Sequence, residues 1–434
     1  MDRKVPLTEE ERVEEHVEGR GEFDTDLEDS EEPVLQRREK DNQSLAEKYF
    51  KACCKIGTVP VEHLHNHQGE YLNLNHCGIG PLGAKALAIA LQDDTTITNL
   101  ELEDNSLKAE GTHYVVEMLQ SNTKIHSFNL SKNGLCFEGA QIISKMMSDN
   151  YYVKCIRLSG NKFDDLSAKY IADALKGDYV IKELDLSHNE FSNTGGEYLG
   201  QMLAGNIGIE FLNLSWNNLS MKGAVALCAG LKVNSTLKYL LMASNGFSSY
   251  VAESLGQALK VNSALVLLDL SINLMDDHAI SLLCPGLAVN CTLKVLKLHH
   301  NTITSVGALT LLKTVKNNSR TALEEIDIST VVVCEAFVEL LEDINKRLPS
   351  LIVKFTVLPH VTKRLSALPI FKKYLKEQKD SLMESFQAVD KDRRLKISTA
   401  DFRNISAEIP LDRNQIEWLV KKFDSKCTAT ISYR

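Results

Sequence analysis

The segment LDLSHNEF at residues 184–191 is followed by a second copy of the same pattern, LNLSWNNL, at residues 212–219. Both fit the frame L-x-L-x-x-N/C-x-L, which starts at residue 72 and returns at residues 100, 128, 156, 184, 212, 240, 268 and 296, a constant period of 28. A tenth copy starts at residue 326, after a slightly longer step. A fixed period between about 20 and 50 residues is typical of repeat proteins, in which each unit stacks on its neighbours. The sequence therefore predicts ten stacked coils.

Each repeat predicts a short strand followed by a helix. The leucines of L-x-L point inward because alternate side chains of a strand face opposite ways. The asparagine at the strand end can bond loop backbone of the neighbouring coil. Apolar residues spaced by four, such as Leu87 and Leu91, mark one face of a helix in the second half of the repeat. We interpret these positions as architecture, and the end coils then need caps.

Composition and charge limit the classes of function. The 434 residues carry a net charge of −9, and residues 1–42 account for it with 16 acidic and 7 basic residues. The remainder holds 42 acidic and 42 basic residues, whereas nucleic acid requires clustered basic side chains. The N-terminus lacks the apolar core of a signal peptide, and no apolar stretch is long enough to span a membrane. We expect a cytoplasmic protein, with a nuclear location left open, that binds neither nucleic acid nor membrane.

Domain boundaries follow from where the period starts and stops. Residues 1–42 are acidic and predicted to be disordered, and residues 43–63 are predicted to form a helical N-terminal cap. The repeat domain covers residues 64–358, where the β-prone run LIVKFTV from Leu351 could cover the last coil. Residues 359–379, with Pro359 and Pro369, are expected to be a linker and the start of a helix. Residues 380–434 form a separate module.

This last module contains two frames with the spacing of a 12-residue calcium loop. The candidate calcium ligands of the first loop are Asp390, Asp392, Lys396, Ser398 and Asp401. Arg394 stands where an oxygen ligand is needed, and Leu395 replaces the turn glycine. The second frame, from Asp424, has Lys426 and Ala429 at the equivalent third and sixth positions, and the sequence ends within it. We predict a degenerate, truncated EF-hand-like pair that serves as a fold, with calcium binding as an alternative and no other cofactor.

Candidate binding residues occupy the outward positions of the predicted strands. The middle coils present Phe211, Trp216, Tyr239 and Leu241, the early coils Glu101 and Glu103, and the late coils Lys297 and His299. Exposed aromatic rings contribute nothing to the core, whereas such rings dominate binding energy at interfaces. The alternative is that they only pack on one another across strands. His299 and His300 are adjacent, so we expect them to point to opposite faces and not to share a metal ion.

Units of this length with alternating strand and helix resemble the ribonuclease-inhibitor class of leucine-rich repeat, which intracellular receptors of the NOD-like type share. The resemblance covers residues 64–350. It implies an α/β horseshoe solenoid with parallel strands on the concave face and helices on the convex face.

The function expected from this architecture is a scaffold that binds a protein partner on the concave face. No phosphate-binding loop, H-E-x-x-H or G-x-S-x-G motif occurs, so we predict that the protein is not an enzyme. Two alternatives stay open. One is a regulator of a small GTPase, because the Ran GTPase activators resemble this repeat class, although their acidic region follows the repeats and here it precedes them. The other is a calcium-responsive adaptor.

Overall fold

A computed structural model describes residues 43–66, 69–357 and 359–433. The expected disorder of residues 1–42 concerns residues outside this described part. Helix α1 (Leu45–Ile56) begins it, followed by a short 3₁₀ helix at Glu62–Asn66. The α1 side chain of Tyr49 is buried, and its hydroxyl accepts a hydrogen bond from the Val61 amide at 3.3 Å. This bond ties the helix to the segment that leads into the first strand.

The repeats form one parallel sheet of eleven strands in chain order. The strands are β1 Tyr71–Asn73, β2 Asn99–Glu101, β3 Ser127–Asn129, β4 Cys155–Arg157, β5 Glu183–Asp185, β6 Phe211–Asn213, β7 Tyr239–Leu241, β8 Leu267–Asp269, β9 Val295–Lys297, β10 Glu325–Val332 and β11 Ile352–Thr356. From β1 to β9, residues that are 28 positions apart in the chain lie opposite each other in neighbouring strands. Leu184 thus lies opposite Leu212, and Leu212 lies opposite Leu240. Every position of the frame therefore forms a row that runs across the coils.

A helix of the repeats follows each of the strands β1 to β10. The helices are α2 Gly80–Leu91, α3 Lys108–Ser121, α4 Cys136–Ser148, α5 Asp165–Leu175, α6 Asn193–Gly205, α7 Met221–Val233, α8 Ser249–Leu259, α9 Asp277–Leu287, α10 Ser305–Asn317 and α11 Glu335–Asn345. The inward leucines of the strands and the apolar faces of the helices form one continuous buried core. The expected α/β repeat fold is confirmed. We call the sheet surface that points away from the helices the strand face.

Two asparagine ladders bond each coil to its neighbour. The first ladder, at the strand ends, was expected, and Asn133 is typical of it: its side chain donates to the Leu102 carbonyl and accepts from the Asn105 amide. The second ladder lies at the helix ends. Asn234 there donates to the carbonyls of Leu203 and Asn206 in the preceding coil, at 2.9 and 3.0 Å. The asparagines at the helix ends therefore also join neighbouring coils.

Helices α6 and α7 pack backbone to backbone. A Cβ atom added at Gly200 would lie 2.4 Å from the carbonyl carbon of Ala226, and one added at Gly196 would lie 2.5 Å from the Cα of Gly223. Real side chains do not reach such distances. These glycines are required for the close approach of the two helices.

The last coil departs from the repeat. Strand β10 is eight residues long, and Val331 is buried at the position where earlier repeats have asparagine. Strand β11 pairs with β10 in parallel and thereby adds an eleventh strand to the sheet. Phe355 of β11 contacts Phe337 of α11 with ring centroids 5.3 Å apart. The β-prone run from Leu351 covers the last coil by extending the sheet.

The C-terminal module, residues 359–433, has a second core of its own. It consists of α12 Pro359–Glu377, α13 Lys379–Val389, β12 Lys396–Ser398, α14 Thr399–Ser406, α15 Arg413–Phe423 and β13 Thr430–Ser432. The short strands pair in antiparallel fashion with Ile397 opposite Ile431. Trp418 of α15 donates its indole N–H to Glu335 of α11, and Lys422 lies 3.4 Å from Glu339. The module thus contacts the helix of the last coil.

The segment from residue 359 to residue 379, expected to be a linker and the start of a helix, is helical over most of its length. It forms a 19-residue helix, α12, which continues through Pro369. Two of its residues, Ala367 and Phe371, are buried in the core of the module. Packing of these side chains against other helices outweighs the loss of one backbone hydrogen bond at the proline. The position of a proline in the sequence does not by itself predict whether a helix continues through it.

Candidate partner-binding surface

Four apolar side chains lie side by side at the strand starts in the middle of the strand face. They are Phe211, Tyr239, Leu267 and Val295, the first residues of β6 to β9, and the register places each opposite the next. We call this row the apolar stripe. The rings of Phe211 and Tyr239 have centroids 6.4 Å apart. With neighbouring strands about 4.8 Å apart, the stripe extends over roughly 14 Å.

The stripe is accessible to a partner. Tyr239 is 40% exposed, and Phe211, Leu267 and Val295 are half-buried on a surface that points away from the helices. Leu241, on the adjacent row of β7, is also half-buried and lies opposite Asn213 and Asp269. Burial of such apolar surface by a partner would contribute about 25 cal/mol per Å².

Trp216 does not belong to this stripe. It lies in the turn after β6 with a φ of 56°, and it is 48% exposed. Its indole stacks on the imidazole of His188 at a centroid distance of 5.3 Å and an interplanar angle of 10°. The sequence places Phe211, Trp216 and Tyr239 in one aromatic patch, but the structure separates them into two ring pairs. The reason is that Trp216 lies beyond the strand end, in the turn, whereas Phe211 and Tyr239 begin their strands.

The acidic candidate residues of the early coils form ion pairs. Glu101 is only 6% exposed, and its carboxylate accepts hydrogen bonds from Arg157 at 2.8 Å and Asn129 at 2.7 Å. Glu103 forms an ion pair with Lys132 at 2.8 Å, and this hydrogen bond lowers the pKa of Glu103. Glu101 and Glu103 are candidate binding residues of the early coils. In the structure, cations two coils and one coil away, respectively, pair with them.

The candidate residues of the late coils also contact neighbouring polar side chains. Lys297 lies 3.8 Å from the carboxylate of Asp269. His299 and His300 do not point to opposite faces, since their Nδ1 atoms are 2.8 Å apart. His300 has a φ of 55°, which breaks the alternation of side chains that an extended strand would impose. Within the described part of the chain, no group of three metal-ligating side chains is gathered at this or another place.

Ion pairs also flank the apolar stripe. Lys238 lies 2.7 Å from Glu210, and Lys294 lies 2.8 Å from Glu324, in each case beside the start of a strand. The hydrogen bond between Lys238 and Glu210 lowers the pKa of the carboxyl and raises the pKa of the ammonium group. Two charged pairs beside the stripe are therefore satisfied by one another, whereas Glu183, which lies opposite Phe211 at the end of the stripe, is exposed and accepts a hydrogen bond only from the Cys155 thiol among the described contacts.

Comparison with known proteins agrees with this architecture. The Leucine Rich repeat family model matches residues 70–88, 180–200, 206–228 and 289–312. These four segments are similar to leucine-rich repeats, and the parallel sheet with alternating helices is a solenoid fold of the leucine-rich-repeat type. Among solved structures, one similar chain is the actin-binding site 2 of leiomodin-1, with 18% identity over 39% of this chain and 88% of that chain, and a TM-score of 0.28. Another is the TLR13–ssRNA13 complex, with 15% identity over 63% of this chain and 35% of that chain, and a TM-score of 0.37. Both are too distant to assign a ligand here.

The first loop of the C-terminal module lies outside the leucine-rich repeats and has its own hydrogen bonds. Asp390 accepts hydrogen bonds from the Leu395 amide at 2.7 Å and from the Tyr433 hydroxyl at 2.8 Å. Burial alone would raise its pKa, but these and other hydrogen bonds lower it. Leu395 adopts a φ of 57°, the conformation that glycine provides in a calcium loop. The loop shape is therefore present, with the first acidic side chain engaged by protein donors.

The remaining candidate ligands of this loop are also engaged or exposed. Asp392 lies 3.7 Å from the Arg394 guanidinium, and Asp401 accepts a 2.6 Å hydrogen bond from Ser398 at the start of α14. The Lys396 side chain is exposed on β12. A calcium ion would have to displace an ion pair and a helix cap in order to recruit these oxygens.

Two features of the leucine-rich repeats were missed in the sequence. Leu267 and Val295 extend the aromatic pair into a stripe, and a search at the position preceding each frame leucine would have found them. Arg157 neutralises Glu101 across two coils. Its outward position in the same row, 56 residues from Glu101, was the available signal.

Proposed function

We propose that the leucine-rich repeats form a non-enzymatic scaffold that binds a protein partner through the apolar stripe on the strand face. The observation that carries this proposal is the row of four apolar side chains on the side of the sheet that points away from the core. Solenoids bind partners on extended surfaces of this kind, and aromatic residues are enriched among the side chains that dominate binding energy.

The structure also supports a mode of recognition. Because the strands of the stripe are paired on both sides within the sheet, a partner docks by side-chain contact and not by adding a strand. A stripe of roughly 14 Å matches about nine residues of a helix, at a rise of about 1.5 Å per residue. Because the four side chains of the stripe are apolar, we expect binding to depend weakly on salt, with Glu183 at the end of the stripe as the adjacent charge that salt would screen.

Proximity labelling in cells tests this proposal with three forms of the full chain. The stripe variant Phe211→Ala/Tyr239→Ala should lose the labelled partners of the wild type. The control Tyr179→Ala removes an exposed tyrosine outside the strand face and should keep them. Thermal unfolding of all three should be similar, because none of these rings is fully buried. Retention of the same partners by the folded stripe variant would show that the stripe is not the binding site.

Finer points of this function are proposals of the same kind. Over the repeats and the C-terminal module the sequence looks most like leucine-rich repeat-containing protein 74, and we propose a cytoplasmic adaptor role on that resemblance. In the described residues, no helix is both long and apolar enough to cross a membrane. Single-turnover GTP hydrolysis with small GTPases tests the GTPase-regulator alternative. Calorimetry of the full chain at millimolar calcium tests the calcium-responsive alternative, and heat released when calcium is added would favour it.

A further inference from the structure

Helix α12 fills an apolar groove in the rest of the C-terminal module. The groove is formed by Met383 and Phe386 of α13, Ile397 of β12, Phe402 of α14, Phe423 of α15 and Ile431 of β13, together with Tyr433. Phe371 of α12 is 5% exposed, and its ring lies 5.8 Å from that of Phe402 and 5.6 Å from that of Phe423. Ser366 of α12 accepts a hydrogen bond from Gln415 of α15 at 3.0 Å. The helix is thus held by an aromatic anchor and a polar contact.

The sequence of α12 has the pattern of a groove-binding helix. Ala367, Phe371 and Leu375 recur at a spacing of four and lie on one face. Lys372 and Lys373 are exposed. Basic amphipathic helices with apolar residues at this spacing are a common ligand of hydrophobic grooves in helical modules. Here the groove and a helix of the matching type belong to one chain.

The fit between α12 and the groove is incomplete. A half-open pocket of about 320 Å³ lies between them, lined by Leu375 of α12 together with Met383 and Phe386 of α13 and Tyr433. Helix α12 therefore leaves part of the apolar surface of the groove uncovered. A helix with larger apolar residues at these positions would cover more of this surface.

We propose that this groove is a helix-binding site that α12 occupies in the resting chain. A partner that carries a basic amphipathic helix, with a phenylalanine or leucine anchor and a second apolar residue four positions later, binds there by displacing α12. The covalent link gives α12 a high effective concentration, so the groove is closed to weak ligands. This site is separate from the apolar stripe and needs no metal ion.

A peptide with the sequence of residues 359–377, labelled with fluorescein, is the probe for this site. The full-length chain should bind it weakly, because tethered α12 competes. The variant Phe371→Ala in the full-length chain removes the anchor of the tethered helix only, since the peptide keeps its own phenylalanine. It should bind the peptide roughly tenfold more tightly or better, because apparent affinity rises with the fraction of open groove.

Two controls separate this result from a general effect. Lys373→Ala changes an exposed residue of α12 and should leave peptide affinity as in the wild type. A peptide in which the residue equivalent to Phe371 is alanine should not bind any form of the chain. If the folded Phe371→Ala variant binds the probe no more tightly than the wild type, or if both peptides bind equally, the proposal is wrong.

A second measurement applies if Phe371→Ala unfolds the module. Hydrogen exchange of the wild-type chain is followed with and without excess isotopically heavy probe peptide, so that fragments of tethered α12 are distinguished from the peptide by mass. Faster exchange in α12, with α15 still protected, supports displacement. Unchanged exchange in α12 at saturating peptide overturns the proposal.

Discussion

Substitution of Asn133 by alanine should strongly destabilise the repeat domain. The side chain donates to the carbonyls of Leu102 and Ser131 at 2.8 and 3.0 Å, and accepts from the amides of Asn105 and Leu107 at 2.9 and 3.2 Å. Alanine leaves these backbone groups without a partner at a site that is 1% exposed. An unsatisfied buried polar group costs about 1–3 kcal/mol, and the two amides and the Leu102 carbonyl together predict a loss of roughly 4 kcal/mol.

A matched control distinguishes the ladder from asparagine in general. Asn213 is half-buried on the strand face, and its side chain oxygen accepts a hydrogen bond from the Ser215 amide at 3.0 Å. Asn213→Ala should therefore cost less than about 1 kcal/mol, the net value of one ordinary hydrogen bond. Urea denaturation followed by circular dichroism gives the free energies of unfolding of both variants.

Hydrogen exchange provides the local evidence for the same prediction. In Asn133→Ala the amides of Asn105 and Leu107 should lose protection, because both bond to the removed oxygen. The stability of a repeat array is approximately a sum over coils and their interfaces, so the loss should be greatest in the adjacent coils. If Asn133→Ala is no less stable than Asn213→Ala, or if both amides stay protected, the ladder does not stabilise the stack as argued.

Two further predictions concern helix packing and pH. Gly200→Ala should lower the free energy of unfolding by about 3 kcal/mol, because the added Cβ would overlap the backbone of Ala226. Gly205→Ala in the same helix has room for a Cβ and should change the free energy of unfolding by less than about 1 kcal/mol. Equal effects of the two substitutions in urea denaturation would contradict the close approach of the helices. The ion pair with Lys132 lowers the pKa of Glu103 in the folded protein. The pair therefore stabilises the fold at pH values above the pKa of an unfolded glutamate, about 4.3. This stabilisation is lost as the pH falls through the lower pKa of Glu103 in the folded protein. Lys132→Met should therefore depend less on pH below this value than the wild type, and identical pH profiles of thermal unfolding would argue against the pair.

Much of the fold follows from periodicity in the chain. Leu184, Leu212 and Leu240 recur at one spacing, and only a stack of strands in register buries all of them. The asparagines at the strand ends were predictable for the same reason, since each sits at a constant distance from these leucines. Each repeat by itself therefore specifies its strand and its helix, and the order of the repeats in the chain specifies the order of the coils.

The candidate site was only partly predictable. Phe211 and Tyr239 were identified from the sequence because strand alternation places them outward. The pairing of Glu101 with Arg157 was not, because the two residues lie 56 positions apart and meet only when the coils stack. Trp216 was grouped with the wrong rings, since its left-handed backbone conformation turns it out of the strand.

The sequence by itself determined the repeat, its equal intervals and the inward and outward positions, because these depend on short-range geometry that recurs in every coil. Only the tertiary structure decides which charged side chains form ion pairs and against which helices α12 packs. Phe371 packs against Phe402 and Phe423 although Pro369 interrupts the backbone hydrogen bonds of its helix. Contacts of this kind depend on distances in space between side chains far apart in the chain, and the energy of burying a phenylalanine outweighs the local preference of a proline.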